Sequence, residues 1–323
     1  MNKKYAIGVD LGGTHIAAAL VDQSGKTGKL QECDIAPEER EVNNVLNKMA
    51  LIINQVISEE KIKREEIFGA GIALPGFIDT INGICHFSPN FPGWTDIRVS
   101  SILETTLDLP VMILNDVNAF ALGEKYFGAG RGVKNIICMT LGTGIGGGII
   151  IDNKLHLGSS QGAGEIGHMT IVPDGPLCGC GNKGCFEALV ARGAIIKTAK
   201  EMIDKNKKTL LAEVKDLSPL SVFEAAEKGD DVAKEIFDKI GRYLGTGISN
   251  LILILNPEKI VIGGRIVNAH KYLFPPAQKE IKKRVKMFPP ESTEIVIAEL
   301  GSQAGLIGGA TYVFQQKCEA FKS

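Results

Sequence analysis

The 323-residue chain carries almost no net charge: 36 Lys+Arg stand against 37 Asp+Glu, a formal balance of -1. That argues against a broad electrostatic grip on nucleic acid or on an anionic membrane, because both need a basic surface. A membrane-spanning run is also missing: the uncharged stretch over residues 135–151, as long as any in the chain, is broken repeatedly by Gly and Thr and is too polar for a bilayer. No signal peptide is read at the start, since the apolar residues after Lys3 and Lys4 meet Asp10 almost at once. No low-complexity linker separates two halves. Hydrophobic residues at 44% and charged residues at 23% are ordinary globular values, which argues against long disorder or fibrous structure. The expectation is a cytoplasmic protein of roughly two domains, with neither a nucleic-acid nor a membrane partner.

Two things are present in quantity or in clusters. The first is glycine, 38 residues in all. The second is cysteine: seven residues, an odd number that fits a reducing compartment better than a disulfide framework. Cys33, Cys85, Cys138 and Cys318 are scattered and read as buried, inert thiols. Cys178, Cys180 and Cys185 crowd into eight positions and call for another explanation.

Along the chain, residues 6–10 read as a strand, Gly12 and Gly13 as a tight turn, and residues 16–21 as a returning strand. Apolar residues at three- and four-residue steps from Val42 to Ile57 predict a helix. Buried strands follow at 67–74, running into Pro75 and Gly76, and at 111–114, running into Asn115 and Asp116; a helix is expected over 117–127. At Ile136 the opening pattern returns, with a second glycine turn at 141–148 between strands. A shift of 130 positions superposes Leu11 on Leu141, Gly12 on Gly142 and Asp22 on Asp152. This suggests a duplicated unit, the alternative being chance likeness of two glycine hairpins. A helix over 236–255, strands at 259–262 and 294–298, and a closing helix over 304–316 complete an α/β pattern.

Glycine turns after strands let backbone N–H groups approach an anion, with no side chain between and positive φ accessible. Neither turn is a Walker loop, and neither carries the spacing of a dinucleotide fold. Asp10 precedes the first turn; a carboxylate facing phosphate needs a cation such as Mg²⁺ between them, unless it only caps the turn. Asp116 stands where a buried strand meets a helix and could take a hydroxyl proton, or serve equally as the helix N-cap. His168 with Cys178, Cys180 and Cys185 offers one imidazole and three thiols, a set suited to tetrahedral zinc with no place for a catalytic water. The alternative is reduced cysteines without metal; a redox pair is disfavoured because Cys178 and Cys180 are separated by one residue. Glu165 and Glu187 bracket this cluster. Both suit hydrogen bonding to vicinal hydroxyls, although Glu187 alone could be a solvated helix residue.

Taken together, Asp10-Leu11-Gly12-Gly13-Thr14, Asn115-Asp116, Leu141-Gly142-Thr143-Gly144, Glu165-Ile166-Gly167-His168 and the run from Cys178 to Cys185 resemble the ROK family of bacterial sugar kinases and related repressors. The resemblance covers almost the whole chain. It implies an actin-like ATPase (ribonuclease H-like) α/β fold with two related domains around a cleft, here 1–115 plus 302–323 and 116–301. It implies ATP, Mg²⁺ and a structural Zn²⁺, and transfer of the γ-phosphoryl group to a hexose 6-hydroxyl.

On that resemblance Asp116 is the general base and Asp10 holds Mg²⁺ through water. Gly12, Gly13, Thr14, Thr143 and Gly144 line the phosphates, with Gly263 and Gly264 near the adenosine. Gly76, Asn90, Asn115, Asp116, Glu165, His168 and Glu187 meet the sugar, and His168, Cys178, Cys180 and Cys185 hold zinc. The sequence Asn90-Phe91-Pro92-Gly93-Trp94 looks like glucokinase members, so glucose is favoured over N-acetylmannosamine, N-acetylglucosamine, fructose or allose. A homodimer or tetramer is implied. A repressor of the same fold is disfavoured, because the phosphate hairpin starts by residue 6, where a DNA-binding segment would stand. Two departures from the family pattern are His15, where lysine is frequent, and Gly301-Ser302-Gln303, where an acidic residue often precedes the last helix.

Overall fold

The computed structural model describes residues 3–205 and 208–318. Strands β1 (Tyr5–Leu11), β2 (His15–Asp22), β3 (Gln31–Asp34) and β4 (Ile67–Leu74) open the chain. A small antiparallel sheet of β5 (Phe77–Asp79), β6 (Ile84–Phe87) and β7 (Thr95–Ile97) is inserted next, before β8 (Val111–Asn115). The first large sheet runs β3-β2-β1-β4-β8, antiparallel across its first three strands and parallel across the rest.

The second large sheet is built from β9 (Ile136–Leu141), β10 (Ile145–Ile151), β11 (Lys154–Leu155), β12 (Lys259–Gly263) and β13 (Glu294–Ile297). Its order, β11-β10-β9-β12-β13, repeats that of the first sheet strand for strand. The duplication read from the two glycine hairpins is therefore a duplication of whole sheet topology.

The helices are α1 (Val42–Glu59), α2 (Val99–Leu107), α3 (Asp116–Phe127), α4 (Phe186–Val190), α5 (Arg192–Asp204), α6 (Pro219–Glu227), α7 (Asp231–Leu255), α8 (His270–Arg284) and α9 (Ala304–Lys317). The sequence pattern placed the start of α7 at 236. It begins at Asp231 because the Asp230 carboxylate caps it, accepting Ala233 N–H at 2.9 Å. None of the described helices is long and apolar enough to cross a membrane.

Alternation along β1 explains how the first sheet is covered. Ile7, Val9 and Leu11 join a core with Val45, Met49 and Ile53 of α1 and with Leu103 and Leu107 of α2. The opposite row is small, because the backbone of α9 comes close: a Cβ at Gly8 would be driven into the Leu306 carbonyl oxygen, and one at Gly71 of β4 into that of Gly309. Ala6 shares this second core with Leu306, Ala310, Val313 and Phe314. Asp10 ends the same small row.

Contacts group the chain into two compact units, Met1–Cys138 with Gly148–Gly164 and Ala298–Ser323, and Met139–Gly147 with Glu165–Ile297. The division expected from sequence, 1–115 plus 302–323 against 116–301, puts α3 in the second domain. Contacts put it in the first unit, since α3 lies along α9 with the Gly308 backbone against the Ala119 carbonyl and the Ala304 carbonyl against Gly123. Residues 1–2 and 319–323 of the expected first domain lie outside the described residues.

Candidate active site

In the first unit, β1, β4 and β8 run parallel in register, with Asp10 beside Ala73 and Ala73 beside Leu114. Asp10, Gly76, Asn115 and Asp116 are thereby gathered at the carboxyl edge of this sheet, where ligands of open α/β sheets are held.

Asp10 is half-buried against the first turn of α9: a Cβ at Gly305 would stand 3.0 Å from its Oδ2. Burial raises its carboxyl pKa to about 6, from 3.8. Beside it, Gly12, Gly13 and Thr14 close the hairpin, Gly12 N–H donating to the His15 carbonyl at 2.9 Å. The exposed Asn90 carboxamide lies 3.5 Å from where a Cβ at Gly13 would be. His15 begins β2 with its imidazole over Gly12, 3.2 Å from the same hypothetical atom there.

The structure divides the labour of Asn115 and Asp116. Asn115 is the N-cap of α3, its Oδ1 accepting from Val117 N–H at 2.9 Å and Asn118 N–H at 3.2 Å. Its amide donates to the Gly76 carbonyl at 3.1 Å. The N-cap alternative for Asp116 is therefore corrected: Asp116 occupies the first helical position, one carboxylate oxygen accepting Val117 N–H at 2.9 Å. Gly76 has φ +123, and a Cβ there would meet the Phe87 carbonyl, so only glycine lets this carbonyl reach Asn115.

In the second unit, Gly142, Thr143 and Gly144 form the matching turn, Gly142 N–H donating to the Gly144 carbonyl at 3.0 Å. Positive φ, expected as one reason for these glycines, is not used: none of Gly12, Gly13, Gly142 and Gly144 is left-handed. What the glycines supply is room. Gly142 faces open space, and Gly144 is pressed by the Glu187 carboxylate, whose Oε2 accepts Ile145 N–H at 2.9 Å.

Glu187 is thus a half-buried, bonded residue of α4 rather than a solvated one. Its other oxygen lies 3.7 Å from Cys178 Sγ, so it ties the glycine turn to the cysteine loop. Glu165 and His168 flank a single 3-10 turn that packs on the Ile145 carbonyl through Gly167. Glu165 is exposed, and its Oε2 is 3.9 Å from His168 Nε2.

The ligand atoms of His168, Cys178, Cys180 and Cys185 lie within 4.8 Å of one another. Cys178 Sγ is 3.7 Å from His168 Nδ1, and Cys180 Sγ is 3.7 Å from Cys185 Sγ, too far for a disulfide, so all three cysteines are free thiols. A tetrahedral zinc with Zn–S near 2.3 Å sets its sulfur ligands about 3.8 Å apart, so the spacing fits the ion. Cys178 N–H donates to the Asn182 carbonyl at 2.8 Å and Gly181 N–H to the Cys178 carbonyl at 3.0 Å, which curls the loop around this point. Burial pushes the Cys185 thiol up to about 12 and raises Cys178, whereas the Asn182 N–H lowers exposed Cys180. Of the scattered cysteines, Cys85, Cys138 and Cys318 are buried as expected, but Cys33 is half-exposed on β3, an edge strand of its sheet.

A cavity of about 410 Å³ opens within the second unit, lined by Gly142 and Thr143, by Ser218, Leu220 and Phe223, and by Arg192, Arg265 and Ile266. Gly263 and Gly264 are not among its lining residues. Gly264 shapes it indirectly, since φ +91 turns the chain against Leu141 and delivers Arg265. Sequence reasoning missed Arg192, Phe223 and Arg265, which come from separated segments without a shared motif.

The ROK family matches residues 6–316. The chain is 36% identical to a glucokinase of Halalkalibacterium halodurans over 98% of this chain and 97% of that relative. It is 32% identical to a xylose repressor of Bacillus spizizenii over 99% of this chain and 80% of the repressor. A ROK family glucokinase from Streptomyces griseus, solved with glucose and AMPPNP, superposes with a TM-score of 0.79 at 33% identity, covering 96% of this chain and 99% of that one. The paired 3-2-1-4-5 sheets are those of the actin-like ATPase fold. With the family pattern matched from residue 6 to residue 316 and full-length relatives above 30% identity, the chain belongs to the ROK family.

Proposed function

We propose that the protein is a cytoplasmic sugar kinase that transfers the γ-phosphoryl group of ATP to the 6-hydroxyl of a hexose, with glucose the favoured acceptor. The placement of Asp116 carries this reading: it takes the first helical position of α3 at the carboxyl edge of the sheet, next to Asn115, whose amide reaches the Gly76 carbonyl, a position from which a carboxylate can act as base. Full-length similarity to glucokinases supports it. In the reaction Asp116 takes the proton of the 6-hydroxyl as that oxygen bonds to the γ-phosphorus and the bond to the ADP oxygen breaks.

Gly76, Asn90, Asn115, Asp116, Glu165, His168 and Glu187 are assigned to the sugar, as the family resemblance implies. Gly12, Gly13, Thr14, Thr143 and Gly144 are assigned to phosphate. Asp10 fits a cation: a half-buried carboxylate with a raised pKa is stabilised in its charged form by Mg²⁺, held through water. When bound, that ion neutralises charge on the transferring phosphate. His168, Cys178, Cys180 and Cys185 fit zinc, which would orient His168 and fix the loop. Gly263 and Gly264 are assigned a place near the adenosine, and Gly264 also sets the path by which Arg265 lines the second-unit cavity.

The Asp116→Asn variant is expected to keep sugar binding while kcat falls by about 10²- to 10⁴-fold. Near wild-type turnover would remove Asp116 from the role. A coupled ADP-release assay across glucose, fructose, allose and the N-acetylhexosamines identifies the acceptor, and light scattering tests the proposed dimer or tetramer. A sugar-responsive regulator is the second reading, favoured by the xylose repressor similarity. It predicts sequence-specific binding in a DNA shift assay and no ADP release with any sugar.

A further inference from the structure

The glycine turns hold no lysine, and the chain as a whole is close to neutral, so any strong grip on a polyphosphate must come from a few placed cations. The cavity of the second unit has two. Arg192 heads α5, its backbone N–H bonded to the Gly142 carbonyl at 3.0 Å. Arg265 follows Gly264, whose backbone rests on Leu141. The same glycine turn thus fixes both guanidinium stems to one cavity. Both side chains are exposed, and among the described residues neither forms an ion pair. Thr143, Ser218 and Asn268 add polar groups to the lining, and Leu220, Phe223 and Ile266 offer an apolar and aromatic surface, suited to the face of a planar base.

We propose that Arg192 and Arg265 are the phosphate-binding pair of this cavity, gripping a nucleoside di- or triphosphate whose base lies on Leu220, Phe223 and Ile266. The inference rests on the kinase reading and deepens it. The two guanidinia supply at a distance the cationic charge that a Walker lysine supplies within its loop, and their forked donors match phosphate oxygens in pairs. The apolar floor selects a nucleotide donor over linear inorganic polyphosphate, which has nothing to place there.

The test is binding of a fluorescent ADP analogue to the purified full-length protein, with ADP, adenosine and tripolyphosphate as competitors. Arg192→Ala and Arg265→Ala alter exposed side chains, and circular dichroism checks that each remains folded. Each is expected to raise the Kd for ADP about tenfold, to weaken tripolyphosphate competition, and to leave adenosine competition and the KM for sugar unchanged. Wild-type ADP affinity in both variants overturns the inference while leaving the kinase reading intact. So does tripolyphosphate competing with wild type more strongly than ADP. A wild-type protein that binds no ADP at millimolar concentration overturns both.

Discussion

Asp10 is kept where a carboxylate is poorly solvated, half-buried against α9 with its pKa raised to about 6. In the unfolded chain the same group ionises near 3.8, so the unfolded state loses its proton first as pH rises. The contribution of Asp10 to folding stability is therefore full at acid pH, falls between about pH 4 and pH 6, and stays lower by up to about 3 kcal/mol above that. The first turn of α9 offsets part of this cost. Asp10→Asn is expected to melt higher than wild type near pH 8, with little gain near pH 4, while losing Mg²⁺-dependent turnover. An equal gain at both pH values would mean that the charge is not the source of the cost. Other single residues were legible to different degrees. Asn115-Asp116 stood out as a pair at a strand-to-helix junction, but which of them caps the helix required coordinates, because both side chains reach the Val117 N–H. Glu124 gave no signal at all. An acid within a helix reads as solvated, yet this one is fully buried and accepts from Ala129, Glu299 and Leu300 N–H at 2.9, 3.1 and 2.8 Å, which fixes the approach to α9.

At the scale of elements, hydrophobic periodicity found α1, β4, β8 and α9 because each buries a regular row. It left 186–235 and 264–293 unassigned, and these hold α4, α5, α6 and α8. Part of the reason is chemical: α8 carries Pro275 and Pro276 inside the helix, where local rules predict a break. The glycine excess was read as anion binding, whereas several glycines instead let the backbone of α9 approach the sheet and α3. Gly308→Ala drives a methyl group into the Ala119 carbonyl and is expected to cost at least about 2 kcal/mol. Gly193→Ala is the control, with open space around its Cβ in α5 and an expected change from neutral to a gain of about 1 kcal/mol. Urea titration of both variants separates crowding from helix propensity; equal midpoints would show that α9 can shift to admit the methyl. The proposed zinc loop makes a second prediction at this scale. The thiols of Cys178, Cys180 and Cys185 meet His168, Glu187 and one another, contacts that a bound ion would hold together, so chelation is expected to lower Tm by more than about 5 °C. Unchanged melting in protein verified as metal-free by elemental analysis would show that the backbone turn alone is sufficient.

For the whole molecule, the repeated topology was legible from two glycine hairpins 130 positions apart, since a hairpin with its turn chemistry is local and survives divergence of the rest. The unit boundaries were not legible, because they depend on which helices pack together, and α3 joins α9 across more than half the length of the sequence. That pairing has a consequence in time. Residues 139–147 and 165–297 form their compact unit among themselves, whereas the first unit stays incomplete until 304–317 are available to cover β1 and β4. During synthesis at about 5–20 residues per second, the earliest strands to emerge are thus the last to be sealed. Their small, glycine-lined face waits uncovered for many seconds, a vulnerable interval in which a chaperone would find its substrate.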